Sequence, residues 1–170
     1  MNKLVVLLCV ALMAMGMLSC SSFVRQKTTN YDRSKVEEII ANHDTTILYF
    51  MTSWCQASQS DFERNMKPHL GKAADTKAIV LVCLGEVEQI SSLENVDENV
   101  LVCTAPSRNP LFDKIFINKE CKKILSRYKR VNYVPVGLVC NRKGDIMNWN
   151  TDEKSNRTYG FIHSYLMGWK

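Results

Sequence analysis

Two kinds of apolar patterning occur along this chain. The first is the run "LVVLLCVALMAMGML" at residues 4–18, which follows a positive Lys3. It is shorter than the roughly 20 residues that a spanning helix requires, and it has the form of a secretory signal. Ser21 to Thr29 is polar and without periodicity, and reads as a tether. The division expected is 1–19 signal, 20–30 tether and 31–170 one folded domain.

The second kind is short and punctuated. Ser34-Lys35-Val36-Glu37 has the pattern of a capping box, and Val36, Ile39 and Ile40 then make one apolar face, which predicts a helix of about two turns. "TTILYFM" at 45–51 is β-branched and aromatic and predicts a buried strand. Cys55 to Met66 reads as helix, stopping before Pro68. Lys77 to Leu84 holds the continuous run "AIVLVCL", as in parallel strands covered on both faces. Glu86 to Asn95 reads as helix, Val100 to Cys103 as a short strand and "TAPSRNP" (104–110) as a loop. Leu111 to Tyr128 reads as helix, with Ile115, Ile124, Leu125 and Tyr128 on its apolar face. "VGLVC" (136–140) and Ile146 to Trp149 are two strands joined by a turn at Asn141-Arg142-Lys143-Gly144, where Gly144 suits a positive φ. Arg157 to Trp169 closes the chain as a helix, with Tyr159, Ile162, Tyr165 and Leu166 on one face. One mixed sheet with helices on both faces accounts for this order, an α/β class.

Composition changes the picture little: 46% hydrophobic residues and a net charge of +5 suit an ordinary globular domain and specify no partner. Cysteine changes it more. Of seven cysteines, Cys9 lies in the signal and Cys20 ends "MLSC", which resembles a bacterial lipoprotein signal with lipid attached to Cys20. Met17 stands where leucine is usual, and cleavage after Gly16, with Ala14 and Gly16 as the small residues, is the alternative. A lipidated Cys20 would hold the domain on a membrane outside the cytoplasm, facing the periplasm. Cys55, Cys83, Cys103, Cys121 and Cys140 remain, an odd number in a compartment where disulfides persist. None has zinc-ligand spacing, and His43, His69 and His163 show neither metal-ligand nor catalytic spacing, so no metal and no other cofactor is expected.

Cys55 falls at the end of a predicted strand where a helix begins, so free N–H groups and the positive end of the helix dipole favour its thiolate. The competing reading is an inert core cysteine. Polar Ser53, Gln56 and Ser58 around it argue against burial.

"ILYFMTSWCQAS" (47–58) resembles the strand, turn and helix start of thioredoxin-like proteins. "SRYKRVNYVPVGLVCNRKGDI" (126–146) resembles their second signature, a proline leading into a strand and a Gly-bearing turn. Both occur in order, within 45–170, and the similarity is closest to extracytoplasmic thiol-disulfide proteins. The resemblance implies a thioredoxin-like fold with Cys55 as nucleophile and Trp54 beside it. It implies a cis bond at Val134-Pro135, with Pro135 facing the cysteine and the Val134 backbone offered to an extended substrate. A trans helix-to-strand break is the plain alternative for this proline. Trp54 could equally be an anchor for the helix start.

Three departures from the family pattern stand out. Ser58 replaces the second cysteine, giving a C-x-x-S motif; a hydroxyl cannot resolve a mixed disulfide, although it can donate a hydrogen bond to the Cys55 thiolate. Tyr49 stands where many thioredoxins carry a buried aspartate, and Gln56-Ala57 replaces their Gly-Pro. Cys83 and Cys140, in apolar strand runs, are expected to be buried. Cys103 and Cys121 are a candidate disulfide pair, or either could serve as a resolving thiol.

Lys119, Lys122, Lys123, Arg127, Lys129 and Arg130 form a basic cluster. It could attract acidic lipids or an acidic substrate, or be the solvated face of a helix. Nucleic acid is not an expected partner. The reading that follows is a membrane-tethered protein performing monothiol exchange, of reductase or isomerase type. Its partners would be client proteins with cysteines or disulfides and a small-thiol or protein thiol donor. The alternative is a redox-inactive module that binds peptides. Thr52-Ser53-Trp54-Cys55 also matches the Thr-x-x-Cys of thiol peroxidases, but without the proline that precedes it in peroxiredoxins.

Overall fold

The computed structural model describes residues 28–71, 77–91, 93 and 96–149. The signal at 1–19, most of the tether and the terminal helix expected at 157–169 lie outside them. The elements in chain order are β1 (Thr29–Asn30), α1 (Arg33–Asn42), β2 (Thr45–Thr52), α2 (Gln56–Asp61), β3 (Lys77–Leu84), α3 (Glu88–Ser91), β4 (Val100–Ala105), α4 (Pro110–Ile124), β5 (Val136–Asn141) and β6 (Ile146–Trp149).

The six strands form one sheet in the order β1-β4-β3-β2-β5-β6. β2 runs parallel to β3, from Thr45 opposite Lys77 to Thr52 opposite Leu84, and β3 runs parallel to β4. β5 is antiparallel to β2, with Val136 opposite Phe50, and β6 is antiparallel to β5. Period-2 alternation of side chains divides the core into two layers. Ile47, Tyr49 and Met51 point to the face covered by Phe62 and Met66, which follow α2. Leu48 and Phe50 point to the face covered by Val36 and Ile40 of α1 and Ile117 and Cys121 of α4. Helices on both faces of a mixed sheet are the thioredoxin-like α/β arrangement expected from the sequence.

Several local expectations are corrected. Thr29–Asn30 belongs to the sheet as an edge strand beside Cys103 and Thr104, so the tether ends before it. The N-cap of α1 is Asp32, whose carboxylate accepts the Ser34 N–H at 3.0 Å, rather than Ser34 itself. The helix after Cys55 does not stop at Pro68: it widens to a π turn over Phe62–Met66 and tightens to a 3₁₀ turn over Lys67–His69 that includes the proline. The helix expected over 86–95 is one short turn, Glu88–Ser91. α4 starts at Pro110, capped by Asn109, whose side chain accepts the N–H groups of Leu111 and Phe112. Its buried residues are Asp113, Ile117, Glu120 and Cys121, while Ile115 is exposed.

Candidate thiol site

The C-terminal ends of β2, β3 and β4 lie side by side, and the site is built on them. After Thr52 the chain turns, with the Ser53 N–H donating to the Leu84 carbonyl at 2.9 Å. Gly85, which follows β3, has φ +91°, and a Cβ there would lie 2.1 Å from Ser53 Oγ. Only glycine allows the two loops to approach this closely. Cys55 is the N-cap of α2 in extended conformation, with its carbonyl accepting the Gln59 N–H at 3.1 Å. The Gln59 side chain in turn donates to the Ser53 carbonyl, which closes the loop that carries Trp54 and Cys55.

The Val134-Pro135 bond is cis. Cys55 Sγ lies 4.0 Å from the carbonyl oxygen of Val134, so the two signature stretches, 79 residues apart in sequence, meet at the sulfur. Cys55 is partly exposed, whereas the other four described cysteines are buried.

Trp54 is positioned from the far side of the loop. Its indole Nε1 donates to Asp113 Oδ2 at 2.8 Å. The same carboxylate accepts Ser107 Oγ–H at 2.6 Å and the Arg108 N–H at 3.2 Å. Asp113 is only 2% exposed, so three donors satisfy a buried acid that holds the indole edge. The ring itself is 39% exposed, and Leu111, Phe112 and Ile115 of α4 are exposed as well. Trp54 therefore both anchors the loop and presents apolar surface next to the sulfur.

Ser58 is placed differently from expectation. It is fully buried, and its Oγ accepts the main-chain N–H of Thr52 at 3.3 Å. The hydrogen bond that the hydroxyl could donate to Cys55 is not formed; its oxygen instead accepts from the strand end. Thr52 Oγ1 is buried and makes no hydrogen bond to Cys55 Sγ.

Below the site, the Tyr49 hydroxyl donates to Asp61 Oδ2, and Asn65 Nδ2 donates to the other carboxylate oxygen at 2.8 Å. Asp61 is 2% exposed. Burial raises its pKa, against the two hydrogen bonds that lower it. Strand position 49 thus carries a phenol, and the phenol binds an acid supplied by α2.

The candidate pair Cys103 and Cys121 is not joined; both are free thiols, each in its own surroundings. Cys103 lies 3.8 Å from Thr29 Oγ1 at the sheet edge. Cys121 lies on the buried side of α4, and burial pushes its thiol up. Cys83 and Cys140 are buried as expected, with thiols pushed up to about 12, and they donate to the carbonyls of Gly85 and Thr46. None of the four is a ready nucleophile in the folded protein. No cluster of three metal-ligating side chains occurs among the described residues.

Asp113 and Asp61 escaped the sequence reading. A signal existed for the first: Asp113, Ile117, Glu120 and Cys121 fall at i, i+4, i+7 and i+8, the spacing of a buried helical stripe. Its two acids disguised it as a polar face.

No protein-family model matches the chain, and no curated protein matches it. Solved structures are similar at low identity. The zinc-bound form of human ERp44 is 17% identical over 84% of this chain, with a TM-score of 0.42. This chain spans only 31% of ERp44, about a third of its length. The exposed lipoprotein thioredoxin of Streptococcus pneumoniae is 14% identical, covering 81% of this chain and 90% of that one, with a TM-score of 0.47. A thiol:disulfide interchange protein of the thioredoxin family from Chlorobium tepidum is 11% identical, covering 77% and 83%, with a TM-score of 0.42.

Proposed function

We propose that this protein performs thiol-disulfide exchange with client proteins through Cys55 alone. The observation that carries the reading is the placement of one partly exposed sulfur 4.0 Å from the Val134 carbonyl, beside a cis proline, while the other described thiols are buried. The Cys55 thiolate attacks one sulfur of a client disulfide. A Cys55–client S–S bond forms, the client S–S bond breaks, and the second client sulfur leaves as thiolate. A client thiolate, or a thiol supplied from outside, then attacks the mixed disulfide and releases Cys55 as thiolate. With a client thiol the net reaction is isomerisation. With two external thiols it is reduction of one disulfide, and the external pair is oxidised.

Each surrounding feature has a part in this cycle. The N-cap position sets the Cys55 sulfur at the start of α2, partly exposed, where a client sulfur can reach it. The Val134 main chain supplies strand-like hydrogen bonding to an extended client, which tolerates many sequences. Trp54 and the exposed apolar residues of α4 offer surface to side chains flanking the client cysteine. Ser58 supplies no second thiol, so the mixed disulfide persists until another thiol arrives. Lipid on Cys20, after an export signal at 1–19, would hold the domain on a membrane, facing the periplasm.

The experiment is capture in cells. Wild type and Cys55→Ala are compared after acid quenching on non-reducing gels. Slow bands that depend on Cys55 and collapse with reductant support exchange. Their absence in wild type, with extended peptides still bound near Val134, would favour the redox-inactive binding module.

A further inference from the structure

We infer that the end of the fold opposite Cys55 is a docking face for an anionic lipid surface. α4 runs from one end of the molecule to the other, about 22 Å over its 15 residues. Its first turn lies at the thiol site, where Asp113 holds Trp54. Its last turn lies at the β5–β6 turn, where the Ser126 N–H donates to the Gly144 carbonyl at 2.9 Å. That turn joins the end of β5 at Asn141, which pairs with Thr45, the first residue of β2, at the far end of the sheet from Thr52.

The exposed face of α4 changes character along this path. Leu111, Phe112 and Ile115 give way to Lys119, Lys122 and Lys123, and exposed Arg127, Lys129 and Arg130 follow. Residues 119–145 contain eight Lys and Arg and two acids, Glu120 and Asp145. Glu120 does not offset the charge at the surface. It is turned inward, 4% exposed, and is gripped by Arg33 at 2.7 and 2.9 Å and by the Tyr31 hydroxyl at 3.0 Å. Asp145 is exposed, but it faces both Arg127 and Lys143. Arg142 is paired with Asp44 and adds no net charge. The lower half of α4 and the segment after it therefore present a surplus of exposed cations to solvent.

The proposed lipid site selects the occupant. Cys20 lies eight residues before Thr28, a reach of at most about 28 Å. An anchor at Cys20 would hold the domain close to a bilayer, and docking through the basic end would leave Cys55 facing away from it, towards clients. The choice of occupant rests on the membrane-tethered part of the proposed function; it does not rest on the thiol chemistry. Polybasic surfaces gain affinity for anionic headgroups with each added cation.

The test uses the full chain with vesicles of phosphatidylcholine, with or without about a third phosphatidylglycerol, at about 50 mM and about 500 mM salt. Binding to neutral vesicles reports what the apolar leader contributes, and the excess on anionic vesicles is the quantity read. Excess binding at low salt should vanish at high salt and fall about tenfold or more in Lys122→Glu/Lys123→Glu/Arg127→Glu. Lys129→Gln/Arg130→Gln should lower it by a smaller factor and serves if the triple variant misfolds. No excess on anionic vesicles overturns the inference, even if the chain binds an acidic protein in the same buffer. So does an excess that neither variant reduces. The alkylation rate of Cys55, measured alongside, reports on the thiol reading separately.

Discussion

Ser58 Oγ accepts the main-chain N–H of Thr52, at 3.3 Å, within a site where neither residue is exposed. The hydroxyl at the fourth position of the motif is thus a structural clasp between the end of β2 and the first turn of α2. Ser58→Ala leaves a buried N–H without a partner, and should cost about 1–3 kcal/mol in urea unfolding. The Cys55 alkylation rate should change less than about threefold, because no Ser58–Cys55 bond is lost. A tenfold fall in that rate would show that the serine acts on the sulfur after all.

The Trp54–Asp113 bond joins the nucleophile's loop to α4 and makes a second prediction. Asp113→Ala removes the acceptor of three hydrogen bonds and should destabilise the fold by about 2–4 kcal/mol. At a denaturant concentration where the variant is still folded, Trp54 should become more accessible to an aqueous quencher. Exchange with a peptide disulfide should slow, chiefly as weaker peptide binding. Trp54→Phe should reproduce the binding defect and recover most of the stability. An Asp113→Ala protein with unchanged quenching would remove the positioning role.

Two buried acids should respond to pH with opposite sign. Glu120 has a lowered pKa: burial alone would raise it, but the Arg33 and Tyr31 hydrogen bonds and the Arg33 charge outweigh that. Its contribution is present above the ordinary value of 4.5 and is lost as pH falls through the lower, folded value. Asp61 has a raised pKa, so its stabilising contribution is present below the ordinary value of 3.8 and is lost as pH rises through the folded value. Urea unfolding across this range should show Glu120→Gln losing stability relative to wild type at neutral pH and converging with it in acid. Asp61→Asn should instead gain on wild type as pH rises. Parallel curves for Asp61→Asn and wild type would contradict its assignment.

These residues also mark where the sequence was readable. β2, β3 and β5 were legible because a strand covered on both faces must be apolar throughout, whatever its neighbours. Cys55, Pro135 and Trp54 were legible as members of two known stretches. The roles of Ser58, Asp61 and Asp113 were not. Each is polar and buried, and its partner is a main-chain group, a phenol or an indole brought close only by folding. Ile115 was assigned inward and Asp113 was passed over for the same reason: the acid finds a donor 59 residues away at Trp54, which no helical periodicity reveals.

Replacing the clasp with a thiol tests whether the scaffold still supports a dithiol cycle. In Ser58→Cys the new sulfur sits about one turn from Cys55. The variant should form an internal disulfide and reduce insulin faster than wild type. The gain should be held below that of a full dithiol enzyme, because a buried second cysteine is costly to deprotonate. A variant that forms the disulfide yet stays inactive would mean that client binding, not the missing thiol, limits the protein.

The central claim is that Cys55 alone carries the exchange. Its most direct measurement is intact-protein mass after incubation with a peptide disulfide and acid quenching. Wild type should gain the mass of one peptide, mapped to Cys55, and lose it when a small thiol is added. Cys55→Ala should gain nothing, and Ser58→Cys should not accumulate the adduct. An adduct that persists in Cys55→Ala, or a wild type that remains unmodified, would contradict the account.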